Sequence, residues 1–365
     1  MEDRSLAFLK ELLDTPGPSG FEQAPARRWR AEAAACGAEV RGDVHGNSYA
    51  TLNPGGAPRV MLAGHVDEIG VMIVHVDDDG YLYFAPIGGW DSQVLVGQRV
   101  MIRGTGAPGH RGGEGTPVTG VVGKKAIHVM KPDERDKVSK ITDLWIDIGA
   151  SSKAEALERV RVGDSGVIAT QVLEFPNGRI VSRSIDNRIG AFVVLEAVRR
   201  LAKGSGFSAC VTAVATTQEE IAHTGGGART SAFALEPEAA VVVDVTHATD
   251  SPGMEKKELG DFKLGGGPVL SRGSAVSRVV FDQLVAAAEA SSIPYGIEAS
   301  PRFTSTDADA IFTTRRGVAT GLVSVPCRYM HSPNEMVSLD DLDRAAELLA
   351  AWVRRLDRST SFIPD

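Results

Sequence analysis

Apolar residues recur at the spacing of an α-helix close to the start of the chain. Leu6, Leu9, Leu12 and Leu13 would all lie on one face of such a helix. The segment DTPGPSG that follows contains two prolines and two glycines, which end the pattern in a sharp turn. Similar patterns predict helices at 25–35, 188–203 and 279–291, and one that begins at Ser338 with a capping-box-like start completed by Asp341.

Apolar runs of strand length lie between these helices. They predict strands at 39–41, 49–53, 59–63, 167–172, 210–215, 239–245, 294–298 and 318–325. In the second half of the chain, strands and helices alternate. This alternation is typical of a mostly parallel sheet whose two faces are covered by helices, so we predict an α/β fold.

The pattern changes between 71 and 167, where helical periodicity nearly disappears. Short stretches with alternating polarity predict strands at 71–76, 81–85, 100–103, 118–123 and 144–148. We therefore expect a small β-rich domain at 71–167, inserted into an α/β domain formed by 1–70 and 168–365. The glycine-rich segment 104–115 lacks the Lys-Ser/Thr pair of a phosphate-binding loop and is predicted to be a flexible loop.

Composition narrows the possible classes of protein. The 365 residues are 43% hydrophobic and 24% charged, which is enough apolar material for a globular core. A formal charge of -8 argues against a nucleic-acid surface, which needs clustered Lys and Arg. Three widely spaced cysteines argue against a disulfide framework. With no secretory signal and no apolar run of about 18 residues, we expect a soluble cytoplasmic protein without a membrane partner.

Side chains that bind metals or move protons gather where the predicted strands end. In open α/β sheets, ligands bind at the carboxyl ends of the strands. Five clusters fall at such ends: His65 with Asp67, Asp186 just before a helix, Glu219 with Glu220, Asp244, and His331. Chance would place one or two of these, but hardly all five.

Most of these clusters have a structural explanation when each is taken alone. Glu219 and Glu220 before three glycines fit a solvated turn, and Asp186 fits the N-cap of the helix that follows. The first histidine and its neighbouring aspartate fit an ordinary loop pair. Asp244 is harder to explain in this way, because it continues an apolar run and a buried unpaired carboxylate is strongly disfavoured.

Taken together, the clusters offer two imidazoles and several carboxylates without a thiolate, a mixture that suits zinc, cobalt or manganese. Five ligands serve two ions if one carboxylate is shared. Side chains alternate along a strand, so one of Glu219 and Glu220 can bind a metal while the other takes a proton from a water. Asp67 can accept the proton of the His65 ring nitrogen that faces away from a metal.

The sequence resembles, over essentially its whole length, the tetrahedral aminopeptidases, a metallopeptidase family that also contains glutamyl aminopeptidases and members described as endoglucanases. The shared motifs are, in order, DTPGPSGFE at 14–22, GHVDEIG at 64–70, FAPIGGW at 84–90, SIDNRIG at 184–190, QEE at 218–220, ARTSAF at 228–233, DVTHATD at 244–250 and HSPNE at 331–335. By this resemblance, Asp186 would bridge two metal ions. His65 and Asp244 would complete one site, and Glu220 and His331 the other.

The resemblance also implies the remaining roles and the architecture. Glu219 would be the general base and Asp67 would orient His65. The fold would be a zinc-exopeptidase α/β domain with an inserted PDZ-like β domain used in assembly, and members of the family commonly form dodecamers.

One segment departs from the family pattern. After the glutamate pair, IAHTGGGA at 221–228 is longer by about two residues than the usual sequence and lacks its arginine. This difference bears on substrate preference and assembly, and His223 is the further histidine to consider there. The stretch 305–307 is a candidate for the wall of the substrate pocket.

These observations predict a cytoplasmic dinuclear metallo-aminopeptidase that removes N-terminal residues from peptides, with two divalent ions per subunit. Zinc is the first expectation, with cobalt or manganese as alternatives, and the chain is expected to form a homo-oligomer. The nearest alternative is a dinuclear deacylase or carboxypeptidase of the same fold. A non-catalytic assembly protein is the alternative from another class, and glycoside hydrolysis gains nothing from metal-binding histidines.

Overall fold

The computed structural model describes residues 1–105, 115–204, 206–222 and 225–364. In chain order its strands are β1 (Glu39–Gly42), β2 (Ser48–Leu52), β3 (Arg59–His65), β4 (Gly70–Val76), β5 (Leu82–Ile87), β6 (Arg99–Gly104), β7 (Thr116–Gly123), β8 (Trp145–Asp147), β9 (Ser165–Ile168), β10 (Leu173–Phe175), β11 (Arg179–Ser182), β12 (Cys210–Thr216), β13 (Ala239–His247), β14 (Val269–Gly273), β15 (Gly296–Ser300), β16 (Ala319–Cys327) and β17 (Glu335–Ser338).

The helices are α1 (Asp3–Asp14), α2 (Gln23–Ala34), α3 (Ser92–Leu95), α4 (Pro132–Arg135), α5 (Lys153–Leu157), α6 (Ile185–Lys203), α7 (Gly226–Leu235), α8 (Lys256–Leu259), α9 (Arg278–Ala290), α10 (Asp307–Ile311) and α11 (Leu339–Arg354). Short 3-10 turns lie at Ile127–Val129 and Ile141–Asp143. Within the described ranges, no helix is both long and apolar enough to cross a membrane.

Eight strands form the central sheet in the order β1-β2-β12-β3-β13-β16-β14-β15. Its middle is parallel, because β3 runs parallel to both β12 and β13, and β13 runs parallel to β16. Antiparallel pairs join β1 to β2, β2 to β12 and β14 to β16. The predicted α/β fold with a mostly parallel sheet is therefore confirmed.

The two faces of this sheet bury different helices. Along β13, Val241 and Val243 enter the large core that contains residues of α1, α2, α6, α9 and α11. Ala240 and Val242 point the opposite way, into a smaller core with residues of α7 and α10. This alternation follows from the two-residue period of a strand. The same alternation places Asp244 on the face of Ala240 and Val242.

Strands β4 to β9, which follow β3 in the sequence, form a closed barrel of six strands in the order β4-β5-β8-β7-β6-β9. It has a core of its own, which includes Ile73, Leu82 and Ile102. The predicted strand at 167–172 is wrong. Val167 and Ile168 belong to β9, where they pair with β6 and close the barrel, because their partners lie in the barrel rather than in the central sheet. Of the predicted glycine-rich loop, residues 106–114 lie outside the described residues.

The last helix begins where the sequence predicts, but without the predicted capping box. Ser338 occupies the N-cap position of α11 and its side chain makes no capping hydrogen bond. The Asp341 carboxylate instead accepts hydrogen bonds from the backbone N–H groups of Gly265 and Gly267, both at 2.7 Å. A distant loop therefore competes successfully for the acceptor that the local pattern assigned to the helix end.

Candidate active site

A cleft of about 910 Å³ opens at the carboxyl ends of the central parallel strands. His65 is the last residue of β3 and lies in register with Thr216, the last residue of β12. Strand alternation places His65, Thr216 and Asp244 on the sheet face that also carries α7 and α10. Five predicted site residues line this cleft directly, namely Asp186, Glu219, Glu220, Asp244 and His331.

The Asp186 carboxylate lies between two imidazoles. Its Oδ1 is 3.3 Å from Nε2 of His65, and its Oδ2 is 3.2 Å from Nε2 of His331. The ligand atoms of His65, Asp186 and Glu220 all lie within 4.8 Å of one another. One carboxylate therefore presents one oxygen to each of two nitrogen donors.

The start of α6 explains why Asp186 is free to face the cleft. Asp186 and Asn187 have non-helical backbone angles, and the regular helix follows them. Asn187 does the capping: its Oδ1 accepts a hydrogen bond from Gly190 N at 3.0 Å, and its Nδ2 donates to the Val243 carbonyl at 2.7 Å. The N-cap explanation for Asp186 therefore does not hold, and the second bond ties the helix to the strand that carries Asp244.

Glycines allow this helix to approach the sheet. A Cβ on Gly64 would come within 2.3 Å of the Gly190 backbone, and a Cβ on Gly190 within 2.5 Å of the Val243 carbonyl oxygen. A side chain on Gly64 would push α6 away from β3, and a side chain on Gly190 would push it away from β13. The glycines in the GHVDEIG and SIDNRIG motifs thus keep Asp186 within reach of His65.

The two neighbouring glutamates have different partners. Oε2 of Glu220 is 3.4 Å from Nε2 of His331, whereas Oε2 of Glu219 is 3.7 Å from Nε2 of His65. Oε1 of Glu220 is buried and has no hydrogen-bond partner among the described residues. The pair is therefore not the solvated turn that the local sequence also allowed.

Asp67 lies beneath this pair, completely buried. Its Oδ1 is 3.3 Å from Nδ1 of His65 and accepts a hydrogen bond from Glu219 N at 3.2 Å. Its Oδ2 accepts hydrogen bonds from Ser19 Oγ at 2.5 Å and from Glu220 N at 3.2 Å. Asp67 contacts the histidine on the side opposite to Asp186, and it also holds the backbone of both glutamates.

Buried carboxylates outnumber the positive groups that face the cleft. Burial raises the pKa of Glu219 to about 10, against the opposing effect of His65. Burial likewise raises the pKa of Asp244 far above its usual value. For His331, burial by itself would lower the pKa, but hydrogen bonds to Asp186 and Glu220 raise it to about 11. This excess of buried carboxyl groups, together with the unpartnered Glu220 oxygen, fits a donor set for divalent cations, which would favour the deprotonated form of these groups.

Glu335 was not singled out from the sequence, although it ends the HSPNE motif. Its Oε2 accepts a hydrogen bond from Asp186 N at 3.0 Å, and its Oε1 accepts one from His331 N at 2.8 Å. It thus fixes the backbone of two site residues at once. A glutamate at the start of β17, four residues after a candidate histidine, was the signal that could have identified it.

Gly88 and Gly89 of the barrel were also missed as part of the site. A Cβ on Gly88 would lie 3.3 Å from Oε2 of Glu220, and one on Gly89 would lie 3.3 Å from Nδ1 of His331. Asp307, from the stretch proposed for the pocket wall, lines the cleft and accepts a hydrogen bond from Thr216. His223 lies outside the described residues.

Known proteins share this arrangement of elements. The model for the M42 glutamyl aminopeptidase family matches residues 46–348. The chain is 35% identical to the lysyl aminopeptidase of Pyrococcus furiosus over 353 residues, which is 96% of both chains. It is 34% identical, with a TM-score of 0.90 and 97% of both chains covered, to a TET aminopeptidase from the marine sediment archaeon Thaumarchaeota archaeon SCGC AB-539-E09.

A further solved structure, PhTET1-12s with a dodecamer in its asymmetric unit, is 30% identical and has a TM-score of 0.83. The alignment covers 98% of this chain and 100% of that one. The family match spans most of the chain, and these relatives align with nearly all of it. The chain therefore belongs to the M42 glutamyl aminopeptidase family, and it is a hydrolase that acts as an aminopeptidase.

Proposed function

We propose that the cleft holds two divalent cations through five ligands, with Asp186 shared between them. His65 and Asp244 would complete one site, and Glu220 and His331 would complete the other. The observation that carries this proposal is the position of the Asp186 carboxylate. One of its oxygens lies 3.3 Å from Nε2 of His65, and the other lies 3.2 Å from Nε2 of His331. Zinc suits this mixture of nitrogen and oxygen donors, and cobalt and manganese are the alternatives.

The chemistry follows from the positions of the protein groups. Bound cations would supply Lewis acidity, which lowers the pKa of a water and polarises the peptide carbonyl. Bound cations would also lower the pKa of Glu219 from its raised value, so that it is ionised. The Glu219 carboxylate, which is not needed as a ligand, would then take the proton of the attacking water and pass it to the leaving amine. Asp67 keeps Nδ1 of His65 protonated, so that Nε2 faces the cleft as a ligand.

The substrates would be peptides with a free N-terminus, which separates this function from that of a deacylase or carboxypeptidase of the same fold. The direct test uses metal-free protein supplied with zinc, cobalt or manganese and a panel of aminoacyl-anilides. We expect cleavage of substrates with a free amine and none of their acetylated forms. Preferential cleavage of the acetylated forms would favour the deacylase instead.

The substitution Glu219→Gln tests the general base separately from metal binding. Glutamine has nearly the same shape but cannot accept the proton, so kcat should fall by about 10²- to 10⁴-fold. Metal content, measured by elemental analysis, should remain at the wild-type value because Glu219 is not a ligand. Turnover close to that of the wild type would contradict the role.

We also propose that 71–167 form an inserted domain used in assembly, and that the chain forms a homo-oligomer as large as a dodecamer in the cytoplasm. The closed barrel supports the domain, and exposed apolar residues beside it, including Val129 and Val138, support a partner surface. PhTET1-12s supplies the precedent for a dodecamer. The molar mass of the purified protein, measured by light scattering, tests the proposed oligomeric state.

The proposed location in the cytoplasm is supported by the three unpaired cysteines, which fit a reducing compartment.

A further inference from the structure

The backbone that carries the two glutamates is held by side chains from elsewhere in the fold. Thr217 N donates to Asn47 Oδ1 at 3.2 Å, and Gln218 N donates to Glu22 Oε1 at 3.1 Å. The next two amides, those of Glu219 and Glu220, donate to the two oxygens of Asp67. Four consecutive N–H groups just beyond β12 are thus bound by three side chains, where a strand partner would otherwise have been needed.

Glu22 is the last residue of the DTPGPSGFE motif and is not one of the proposed metal ligands. It is only 4% exposed, and its Oε1 also accepts a hydrogen bond from Gly20 N at 2.7 Å. Its carboxylate therefore joins the turn before α2 to the residue that precedes Glu219. Both hydrogen bonds to Glu22 Oε1 come from backbone N–H groups, which need an acceptor oxygen and not a negative charge.

The turn that carries Glu22 is itself anchored beside the site. Ser19 donates through Oγ to Asp67, and Gly17 N donates to Glu68 Oε1 at 3.0 Å. Glu68 is buried and forms ion pairs with Arg183 at 2.9 Å and Arg188 at 2.8 Å. The carboxylate of Glu22 is thus presented from a fixed support rather than from a mobile loop.

Gln218 needs such support because its backbone has a φ of +60°. This left-handed conformation is unfavourable for a residue with a side chain and persists only where the surroundings impose it. If the bond from Gln218 N were lost, the peptide before Glu219 could relax, and the Glu219 carboxylate would move with it. A displacement of about 1 Å in a catalytic group can cost about 10²-fold in rate.

We propose that Glu22 is a positioning residue for the general base, acting through the Gln218 amide on the direction of the Glu219 side chain. This role rests on the proposed function of Glu219. Glu22 is not among the residues that line the cleft, and it is not one of the five proposed metal ligands. In this proposal, the DTPGPSGFE motif supports the backbone that carries Glu219.

The substitution Glu22→Ala should lower kcat by about 10- to 100-fold on an aminoacyl-anilide, while KM changes by less than about twofold and metal content stays at the wild-type value. Glu22→Gln should restore most of kcat, because its amide oxygen can accept both hydrogen bonds. Burial, and then the charge of Asp67, raise the pKa of Glu22 to about 7, so the loss of charge in Glu22→Gln is a smaller change than at an ordinary glutamate. Glu22→Asp should resemble the alanine variant, because its carboxylate is one methylene too short.

Glu11→Ala is the matched control, since Glu11 is exposed on α1 and pairs with Arg28 at the surface. Wild-type kcat in Glu22→Ala would overturn the inference, and so would a Glu22→Gln variant as slow as Glu22→Asp. If the alanine variant does not fold, the comparison of Gln with Asp decides the question alone. Wild-type protein without activity on any free-amine substrate would instead refute the proposed function of the site.

Discussion

Asp67 is a buried carboxylate that contacts both a proposed metal ligand and the backbone of the proposed general base. Its two oxygens meet Nδ1 of His65, the amides of Glu219 and Glu220, and the hydroxyl of Ser19. The sequence indicated the contact with His65, because the two residues are two apart in an extended segment. The contacts with the glutamate backbone join segments about 150 residues apart, and no local pattern indicates them.

Asp67→Asn should therefore weaken metal binding and stability together. The amide nitrogen of asparagine would face one of the donors that Asp67 accepts, which leaves a buried N–H or O–H group unsatisfied at a cost of about 1–3 kcal/mol. Loss of the partner of a ligating histidine typically costs about 10- to 100-fold in metal affinity. Zinc competition with a chromophoric chelator and denaturant unfolding measure the two effects.

Asp136→Asn is the control for this substitution, because Asp136 is exposed on the barrel side of the chain and the change removes the same charge. It should leave both measurements unchanged. Equal zinc affinity in Asp67→Asn and the wild type would show that His65 does not depend on this carboxylate.

At the scale of elements, the barrel contributes directly to the site. The turn after β5 brings Gly88, which has a φ of +76°, against Ile69 and Glu220. A Cβ at this position would lie 2.6 Å from Cγ2 of Ile69 and 3.3 Å from Oε2 of Glu220. The two glycines of the FAPIGGW motif thus lie where the neighbouring site residues leave little room for a side chain.

Gly88→Ala should reduce activity by at least about tenfold, because the added methyl group must displace either the Ile69 side chain or the Glu220 carboxylate. Gly97→Ala is a matched control: Gly97 has a φ of +79° in the same barrel, with open space around its Cβ position. Both variants carry the cost of a left-handed alanine, roughly 1–2 kcal/mol. Activity assays at matched protein stability separate the two, and equal loss in both would contradict a role of Gly88 in the site.

At the scale of the whole molecule, we expect the buried acids of the cleft to couple folding to the binding of the proposed cations. These acids lie in segments that are widely separated in the chain: Asp186 in α6, Glu219 and Glu220 just after β12, and Asp244 in β13. Folding brings their charges together away from water, which is costly without compensation. A cation that binds the native state alone stabilises it by about 2.7 kcal/mol at a free concentration of 100 times its Kd.

Removal of metal with a chelator should therefore lower the Tm by a few degrees, and added zinc should restore it. Calorimetry with parallel metal analysis measures this. In His331→Ala, which lacks one proposed ligand, the chelator should lower the Tm by a smaller amount. The same Tm for wild-type protein with and without its metal would contradict the coupling of the cations to the fold.

The sequence by itself determined the class of fold and singled out the candidate site residues. Strand and helix periods are local, so they indicated the α/β alternation and placed the acidic and imidazole residues at strand ends. The same local rules assigned 167–172 to the wrong sheet and Asp341 to a capping box. In both places the residue pairs with a distant segment instead: Val167 pairs with β6, and Asp341 accepts hydrogen bonds from loop glycines.

Only the tertiary structure decided how these residues meet. The bond from Asp186 N to Glu335 spans 149 residues, and that from Gln218 N to Glu22 spans 196. Such contacts depend on strand order and on the close approach of α6 to β3, and neither is encoded in the period of a segment. The candidate site residues could therefore be predicted from the sequence, whereas the geometry that brings them together arises from the packing of remote elements.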